Sequence, residues 1–455
     1  MKLTFCGGAQ SVTGANYLLE TGKKKVLIDC GLTQGSKFAE QENYKPFPYD
    51  VRAIDAVFVT HAHIDHIGLL PKLCKEGFKG KIYSTPPTKD LALPLLEDSL
   101  KLLSEEAERE KKPLLYKESD LEQVFRLWET LSYRKPQEIF QGIKLVFRDA
   151  GHILGSAIIE LWAKENSQEQ KIVFSGDLGN PPTPLLCPTE LIDKANYVLV
   201  ESTYGSRIHE DKRRRKDLLE DAIEDTITNG GVLMIPTFAL ERTQELLYEL
   251  NDLVEHHRIP KIPIFIDSPL AIHLTKIYKK YPDYFNQETR YLISSGDEIF
   301  RFKGLRFTET VEESKEINFI PPPKVIIAGA GMSNGGRILH HERRYLSDPK
   351  SLLLIIAWQA EGSLGRQLLE GARSVKIFGE RIPVKAGVRA IGGYSAHPDQ
   401  EGLLKWLSAF DKNLLKKVFI VQGELKEAKA LSGLVQDRLG IETAIPNKGE
   451  IVNLT

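Results

Sequence analysis

His61-Ala62-His63-Ile64-Asp65-His66 sets three imidazoles and a carboxylate within six residues, directly after the apolar run Ala56-Val57-Phe58-Val59-Thr60. These are nitrogen and oxygen donors suited to zinc. In an extended segment alternate residues share a face, so His61 and His63 can point at one ion. A turn afterwards could aim Asp65 and His66 at a neighbouring ion. A surface histidine cluster is the competing account, and the preceding strand and the helix start at Gly68 argue against it. Two further segments complete a plausible pair of sites. Gly151-His152-Ile153-Leu154-Gly155 places a histidine between glycines that permit close backbone approach, and Ser175-Gly176-Asp177 puts a carboxylate where it could bridge two cations. Two metals about 3.5–4 Å apart can share a hydroxide and clamp both oxygens of an in-line phosphate displacement.

Groups so far apart in sequence need strands to gather them. Short apolar runs read as buried strands, and a polar residue follows each. Lys25-Val26-Leu27-Ile28 leads to Asp29, and Ile172-Val173-Phe174-Ser175-Gly176 to Asp177. Tyr197-Val198-Leu199-Val200 leads to Glu201, and Val418-Phe419-Ile420-Val421 to Gln422. Strand ends facing one edge of a sandwich would bring these residues together. Between about Asp90 and Leu131 the sequence reads as amphipathic helices with a solvated charged face. From about 205 to 380 the rhythm changes. Four strand–loop–helix units, starting at Val232, Ile264, Val325 and Leu352, imply a second domain with a mostly parallel sheet covered by helices.

A chain of 455 residues suits two or three domains at roughly 150 residues each. Its 42% hydrophobic and 27% charged residues exclude wholesale disorder. With 61 Lys+Arg against 62 Asp+Glu, the net charge of −1 argues against coating nucleic acid through sheer positive charge. The longest apolar run, Leu352 to Trp358, falls far short of the ~20 residues of a membrane span. No basic-then-apolar leader follows Met1. Cys6, Cys30, Cys74 and Cys187 form no CxxC pair. The expectation is a soluble, cytoplasmic protein with no membrane partner.

The HxHxDH run, the histidine of Gly151-His152-Ile153 and the aspartate of Ser175-Gly176-Asp177 together resemble the metallo-β-lactamase fold. Glu201-Ser202-Thr203-Tyr204-Gly205, Pro236-Thr237-Phe238-Ala239-Leu240, Ser268-Pro269-Leu270-Ala271, Gly331-Met332-Ser333-Asn334-Gly335-Gly336 and Gly392-Gly393-Tyr394-Ser395-Ala396-His397 narrow it further. With them the chain, over nearly its whole length, is similar to the β-CASP nucleases, relatives of the endonuclease subunit of the eukaryotic pre-mRNA 3′-end cleavage complex. The resemblance implies an α/β protein: a metallo-β-lactamase αββα sandwich from residues 1–204 and 384–455, with an inserted β-CASP domain over 205–383. It implies a zinc-dependent ribonuclease that cleaves single-stranded RNA by metal-activated hydroxide attack. His61, His63 and His152 would hold one zinc, Asp65 and His66 the other, with Asp177 bridging. Asp65, Glu201 and His397 would be catalytic, Glu201 and His397 helping to protonate the leaving oxygen. Asp29 would orient ligands by hydrogen bonding; a polar residue that merely ends a strand is its competing account. The family often pairs through its metallo-β-lactamase domain, so a homodimer is an expected form.

One departure matters. RNA-cleaving members usually carry a histidine in the final strand-end motif, where this chain has Gln422. An amide is a poorer zinc ligand than imidazole, which makes Gln422 a weak ligand at most and the second of two zincs the looser. DNA-processing members also lack that histidine. A DNA exonuclease or repair enzyme is therefore the nearest alternative, followed by a catalytically weak RNA-binding subunit. A small-molecule lactonase or thioesterase would leave the 205–383 insertion without a purpose. For RNA contacts, Arg242 near a helix start and the Ser333-Asn334-Gly335 turn are candidates for phosphate binding. The basic run Lys212-Arg213-Arg214-Arg215-Lys216 reads first as a solvated helix face. Gly329-x-Gly331 fails the dinucleotide fingerprint because Asn334 occupies its third glycine position.

Overall fold

Alternation shapes the first strand: in Lys2–Gly7, Leu3 and Phe5 turn inward while Lys2 and Thr4 stay accessible. The computed structural model describes residues 1–35, 37–165, 168–210, 214–357, 359–360 and 362–454. Lys212 and Arg213 of the basic run, and Trp358 at the end of the long apolar run, lie outside these.

Lys2–Gly7, Asn16–Thr21 and Lys24–Ile28 pair antiparallel, and Ala56–Phe58, Lys81–Ser84 and Trp128–Thr130 extend them in parallel. Ile451–Asn453 closes the other edge, giving seven strands. A second seven-stranded sheet runs in the order Thr443–Ala444, Lys417–Val421, Tyr197–Glu201, Gln168–Phe174, Ala157–Glu165, Ile143–Asp149, Gln137–Phe140. Phe5, Ile28 and Phe58 of the first sheet meet Phe147, Ile159, Phe174 and Phe419 of the second in one apolar layer. Each such side chain contributes roughly 1.5–3 kcal/mol by leaving water. The other face of the second sheet, through Val173, Val198 and Ile420, packs on Leu403, Leu407 and Leu431 of helices Gln400–Leu407 and Leu425–Leu434. Helices Pro86–Glu110 and Glu118–Leu127 lie against the far strands of the first sheet.

These layers form one compact unit, comprising Met1–Pro181, Cys187–Ile208 and Ala396–Thr455. The other unit comprises Pro182–Leu186 and His209–Ser395. Its sheet is parallel throughout, ordered Leu305–Phe307, Ile264–Asp267, Lys324–Ala328, Val232–Pro236, Leu352–Ile355, Gly387–Ala390. Four of these strands are the expected ones; the two edge strands carry little apolar signal. The second unit ends later than residue 383 because Gly387–Ala390 pairs with Leu352–Ile355. It gains Pro182–Leu186 because the Asn286 amide donates to the Leu185 carbonyl at 2.8 Å. Among the described residues, no helix is long and apolar enough to cross a membrane.

In the first unit the turn after Lys24–Ile28 runs tightly against the 61–66 loop. The Cys30 amide donates to the His66 carbonyl at 2.8 Å, and the Leu32 amide to the Ile64 carbonyl at 3.0 Å. A Cβ at Gly31 would lie 1.6 Å from the Asp65 carbonyl oxygen. Gly31→Ala must therefore force the two segments apart, at a cost of about 1–3 kcal/mol. Calorimetry should show a lowered unfolding midpoint; an unchanged midpoint would contradict this packing.

Candidate metal centre

Every residue of the centre sits where a strand gives way to a turn. His61 and His63 follow Ala56–Phe58, and His63 precedes the short helix Ile64–Ile67. His152 follows Ile143–Asp149 through Gly151, whose φ of 66° reverses the chain. Asp177 follows Gln168–Phe174 through Gly176, where a Cβ would meet Thr60 at 2.7 Å. Glu201 ends Tyr197–Glu201, and Gln422 follows Lys417–Val421. His397 lies just before helix Gln400–Leu407.

Four ligand atoms converge. His63 Nδ1 is 3.0 Å from His61 Nε2 and 3.3 Å from His152 Nε2. Asp177 Oδ2 is 3.4 Å from His61 Nε2 and 3.6 Å from His152 Nε2. All four atoms lie within 4.8 Å of one another. A tetrahedral zinc at 2.0–2.1 Å from each would set them about 3.4 Å apart, close to the four observed spacings of 3.0 to 3.6 Å. Burial drives the His63 and His152 pKa values well down, with neighbouring imidazoles adding to it, so both rings are neutral and carry lone pairs. Three facing nitrogens and a carboxylate suit a cation, and the donor set fits a divalent metal.

Hydrogen bonds behind the centre fix which nitrogen faces it. Asp29 accepts from the Thr60 amide and hydroxyl, each at 2.8 Å. His66 Nδ1 lies 2.7 Å from Asp29 Oδ2, so its proton goes there and Nε2 turns forward. Having given its own proton to Asp29, the Thr60 hydroxyl can accept from His61 Nδ1 at 3.1 Å, leaving His61 Nε2 forward as well. His152 Nδ1 is buried without a hydrogen-bond partner among the described residues.

A second set is looser. His66 Nε2 is 3.4 Å from Asp177 Oδ1 and 3.9 Å from Asp65 Oδ2. Burial pushes the Asp65 carboxyl above its usual range. Burial acts the same way on Asp177, but the His66 and His61 charges outweigh it and hold that carboxyl well down. Gln422 faces the set with its amide nitrogen, which donates to Asp177 Oδ1 at 2.6 Å and sits 3.1 Å from His66 Nε2. Its oxygen accepts from the Tyr17 hydroxyl at 3.4 Å. In this orientation Gln422 is a donor to Asp177 and turns its carbonyl oxygen toward Tyr17.

His397 Nδ1 lies 3.1 and 3.0 Å from the two Glu201 oxygens. Burial alone would depress the imidazole, but the adjoining Glu201 charge prevails and holds its pKa up at about 9. Glu201 is fully buried and also accepts from the Leu178 amide at 2.7 Å. The substrate candidates in the other unit differ from expectation. The Arg242 guanidinium is buried and paired with Glu245, and the buried Ser333 hydroxyl donates to Glu342 at 2.5 Å. Both side chains are committed inside their own unit; only Gly335 has open space beside its Cα. Thr60 and Tyr17 escaped the sequence reading. Thr60 at least adjoins His61, whereas nothing in the sequence ties Tyr17 to Gln422.

Residues 12–158 match the Metallo-beta-lactamase superfamily, 243–368 the Beta-Casp domain, and 381–446 the Zn-dependent metallo-hydrolase RNA specificity domain. The chain is 38% identical to Ribonuclease TTHA0252 of Thermus thermophilus over 99% of both chains. It is 33% identical to the RNase J-like protein of Methanocaldococcus jannaschii, again over 99% of both. To Transcription termination factor FttA of Methanosarcina mazei it is 31% identical over 100% of this chain and 72% of that protein. A crystal structure of a protein of unknown function from Enterococcus faecalis V583 shares the fold at 12% identity, with a TM-score of 0.57 over 100% of this chain and 99% of the other.

Removing the carboxylate that orients His66 should loosen the centre without removing a ligand. Asp29→Ala is expected to weaken metal binding about 10–100-fold in a chelator-competition titration; wild-type affinity would make Asp29 a bystander.

Proposed function

The chain belongs to the β-CASP branch of the metallo-β-lactamase superfamily, and from that premise we propose that it is a ribonuclease hydrolysing phosphodiester bonds of single-stranded RNA. The convergence of His61 Nε2, His63 Nδ1, His152 Nε2 and Asp177 Oδ2 carries the reading. The ribonuclease and RNase J-like relatives, matched end to end, support RNA as the substrate.

Zinc would be held by His61, His63, His152 and Asp177, and a second, weaker zinc by Asp65 and His66 with Asp177 shared. Bound there, such ions supply positive charge for the phosphate oxygens and a lowered pKa for the attacking water. The second position is weak because the Gln422 amide already donates to Asp177 Oδ1. Gln422→His should raise tightly held zinc from about one per chain to two.

The surrounding residues move and hold protons. Asp29 keeps a proton on His66 Nδ1 and so keeps Nε2 free for its task. Glu201 accepts from His397 Nδ1, and the pair keeps the imidazole charged at neutral pH. His397 Nε2 then carries the proton delivered to the leaving oxygen, and Glu201 stabilises the charge while it is there. Glu201 is shielded from bulk water while His397 stays partly accessible, and burial of the carboxylate strengthens the pairing. In the β-CASP unit, Gly335 and the neighbouring loop backbone contact the RNA, and the Ser333 hydroxyl, bonded to Glu342, holds that loop. The protein acts in the cytoplasm, where a homodimer is its expected form.

The test is cleavage of end-labelled RNA carrying a 5′-triphosphate or a 5′-monophosphate, with matched DNA alongside. Asp177→Ala or His63→Ala should abolish RNA cleavage together with bound zinc. His397→Ala should slow it about 10²–10⁴-fold while zinc content persists. Full activity in any of the three would refute the assignment, and cleavage of DNA alone would overturn the substrate.

A further inference from the structure

Gln422 is pinned on both sides of its backbone. Its backbone N–H donates to the Gly8 carbonyl at 2.7 Å, and its backbone carbonyl accepts from the Thr203 hydroxyl at 3.1 Å. The side chain is buried. A terminal amide torsion is broad and roughly two-fold. The motion left to this residue is therefore a half-turn that exchanges the amide nitrogen and oxygen.

The two ends of the amide meet different partners. The nitrogen lies 2.6 Å from Asp177 Oδ1 and 3.1 Å from His66 Nε2. It carries two N–H donors, one for each. His66 Nε2 can accept because the ring's proton sits on Nδ1, against Asp29. Asp177 and His66 thus give the amide the same two lone pairs that they would give a cation. The amide oxygen lies 3.4 Å from the Tyr17 hydroxyl, near the outer limit of a hydrogen bond.

Tyr17 makes an exchange of ends possible. Its ring is buried between the two sheets, its centroid 6.1 Å from that of Phe5 and 6.4 Å from that of Phe174. A Cβ on Gly8 would lie 2.6 Å from the Tyr17 hydroxyl, so the bare glycine leaves it room. A hydroxyl both donates and accepts, and it can partner either end of the amide. With no cation between them, a turned amide oxygen and Asp177 Oδ1 would face each other as two acceptors without a proton. Toward a cation, the same carbonyl oxygen is a ligand.

We propose that Gln422 is a two-position residue of the centre: its amide nitrogen caps Asp177 and His66, and after a half-turn its carbonyl oxygen joins them as a ligand, with the Tyr17 hydroxyl partnering the end turned away. The proposal rests on the metal reading above and deepens it. Tyr17 is a positioning residue that acts through Gln422, and the second zinc binds by displacing a cap.

The test is a calorimetric titration of the chelator-stripped, dialysed full chain with zinc alone. Tyr17→Phe keeps the ring and removes the hydroxyl. It should weaken the second zinc about tenfold, because the turned amide nitrogen loses its acceptor while the capping orientation loses only a long contact. The first zinc should stay within about twofold, which also reports an intact fold. In a Gln422→Leu background the same change should have no effect on either zinc. Crystals of the wild-type chain grown with excess zinc give a second reading. A Gln422 amide atom about 2.0–2.2 Å from the second zinc identifies the oxygen, since a protonated amide nitrogen cannot ligate. A second zinc with the amide still against Asp177, or a Tyr17→Phe chain that holds the second zinc as well as wild type does, would overturn the exchange. So would a filled first position with no second zinc, which leaves the first-site reading intact. No zinc at either position would overturn both.

Discussion

Three imidazole nitrogens and a carboxylate oxygen, all within 3.0 to 3.6 Å of a neighbour in the group, face one another where burial has removed water. Their lone pairs repel, and protons cannot resolve the conflict because burial and mutual repulsion keep His63 and His152 neutral. A divalent cation satisfies all four atoms at once. Much of the first unit follows from that constraint. The ligands come from three strand ends, so two sheets must be stacked with those ends in common. Gly31 must be bare because the ligand loop crosses directly over it.

Carboxylates divide the labour around this point. Asp29 never reaches the converging set, yet through Thr60 and His66 it decides which ring nitrogens do. Glu201 does the same for His397 and keeps it charged. Asp177 faces both sets with its two oxygens, and Gln422 occupies the second oxygen with a donated proton. Gln422 thus gives the second side of Asp177 a hydrogen bond where the first side faces imidazole nitrogens.

The near-neutral chain follows the same logic. A net charge of −1 argues against a protein that coats nucleic acid through sheer positive charge, and on the proposed reading the positive charge for RNA chemistry would come from ions held by the protein's own acids and imidazoles.

The HxHxDH run was legible because its ligands are adjacent in sequence, and Asp177 because a strand ends just before it. His397 was not legible without the family resemblance, and His152 only as a candidate beside the HxHxDH run, since each is a lone histidine whose partners lie far along the chain. Glu201 pairs with His397 across 196 positions, a relation that no local pattern encodes. Arg242 and Ser333 show a related limit: a helix start and a glycine-rich turn suggest phosphate binding, while their pairing with Glu245 and Glu342 is a tertiary detail that no local pattern announces. Four strands of the parallel sheet were visible from their apolar runs, while Leu305–Phe307 and Gly387–Ala390 carry too little apolar signal to read. The measurement that tests the account most directly is an anomalous difference map at the zinc edge from crystals grown with zinc. A strong peak among His61 Nε2, His63 Nδ1, His152 Nε2 and Asp177 Oδ2, with a weaker one beside Asp65 and His66, is the predicted result. A map with no peak between those four atoms, or with its strongest peak elsewhere, would contradict it.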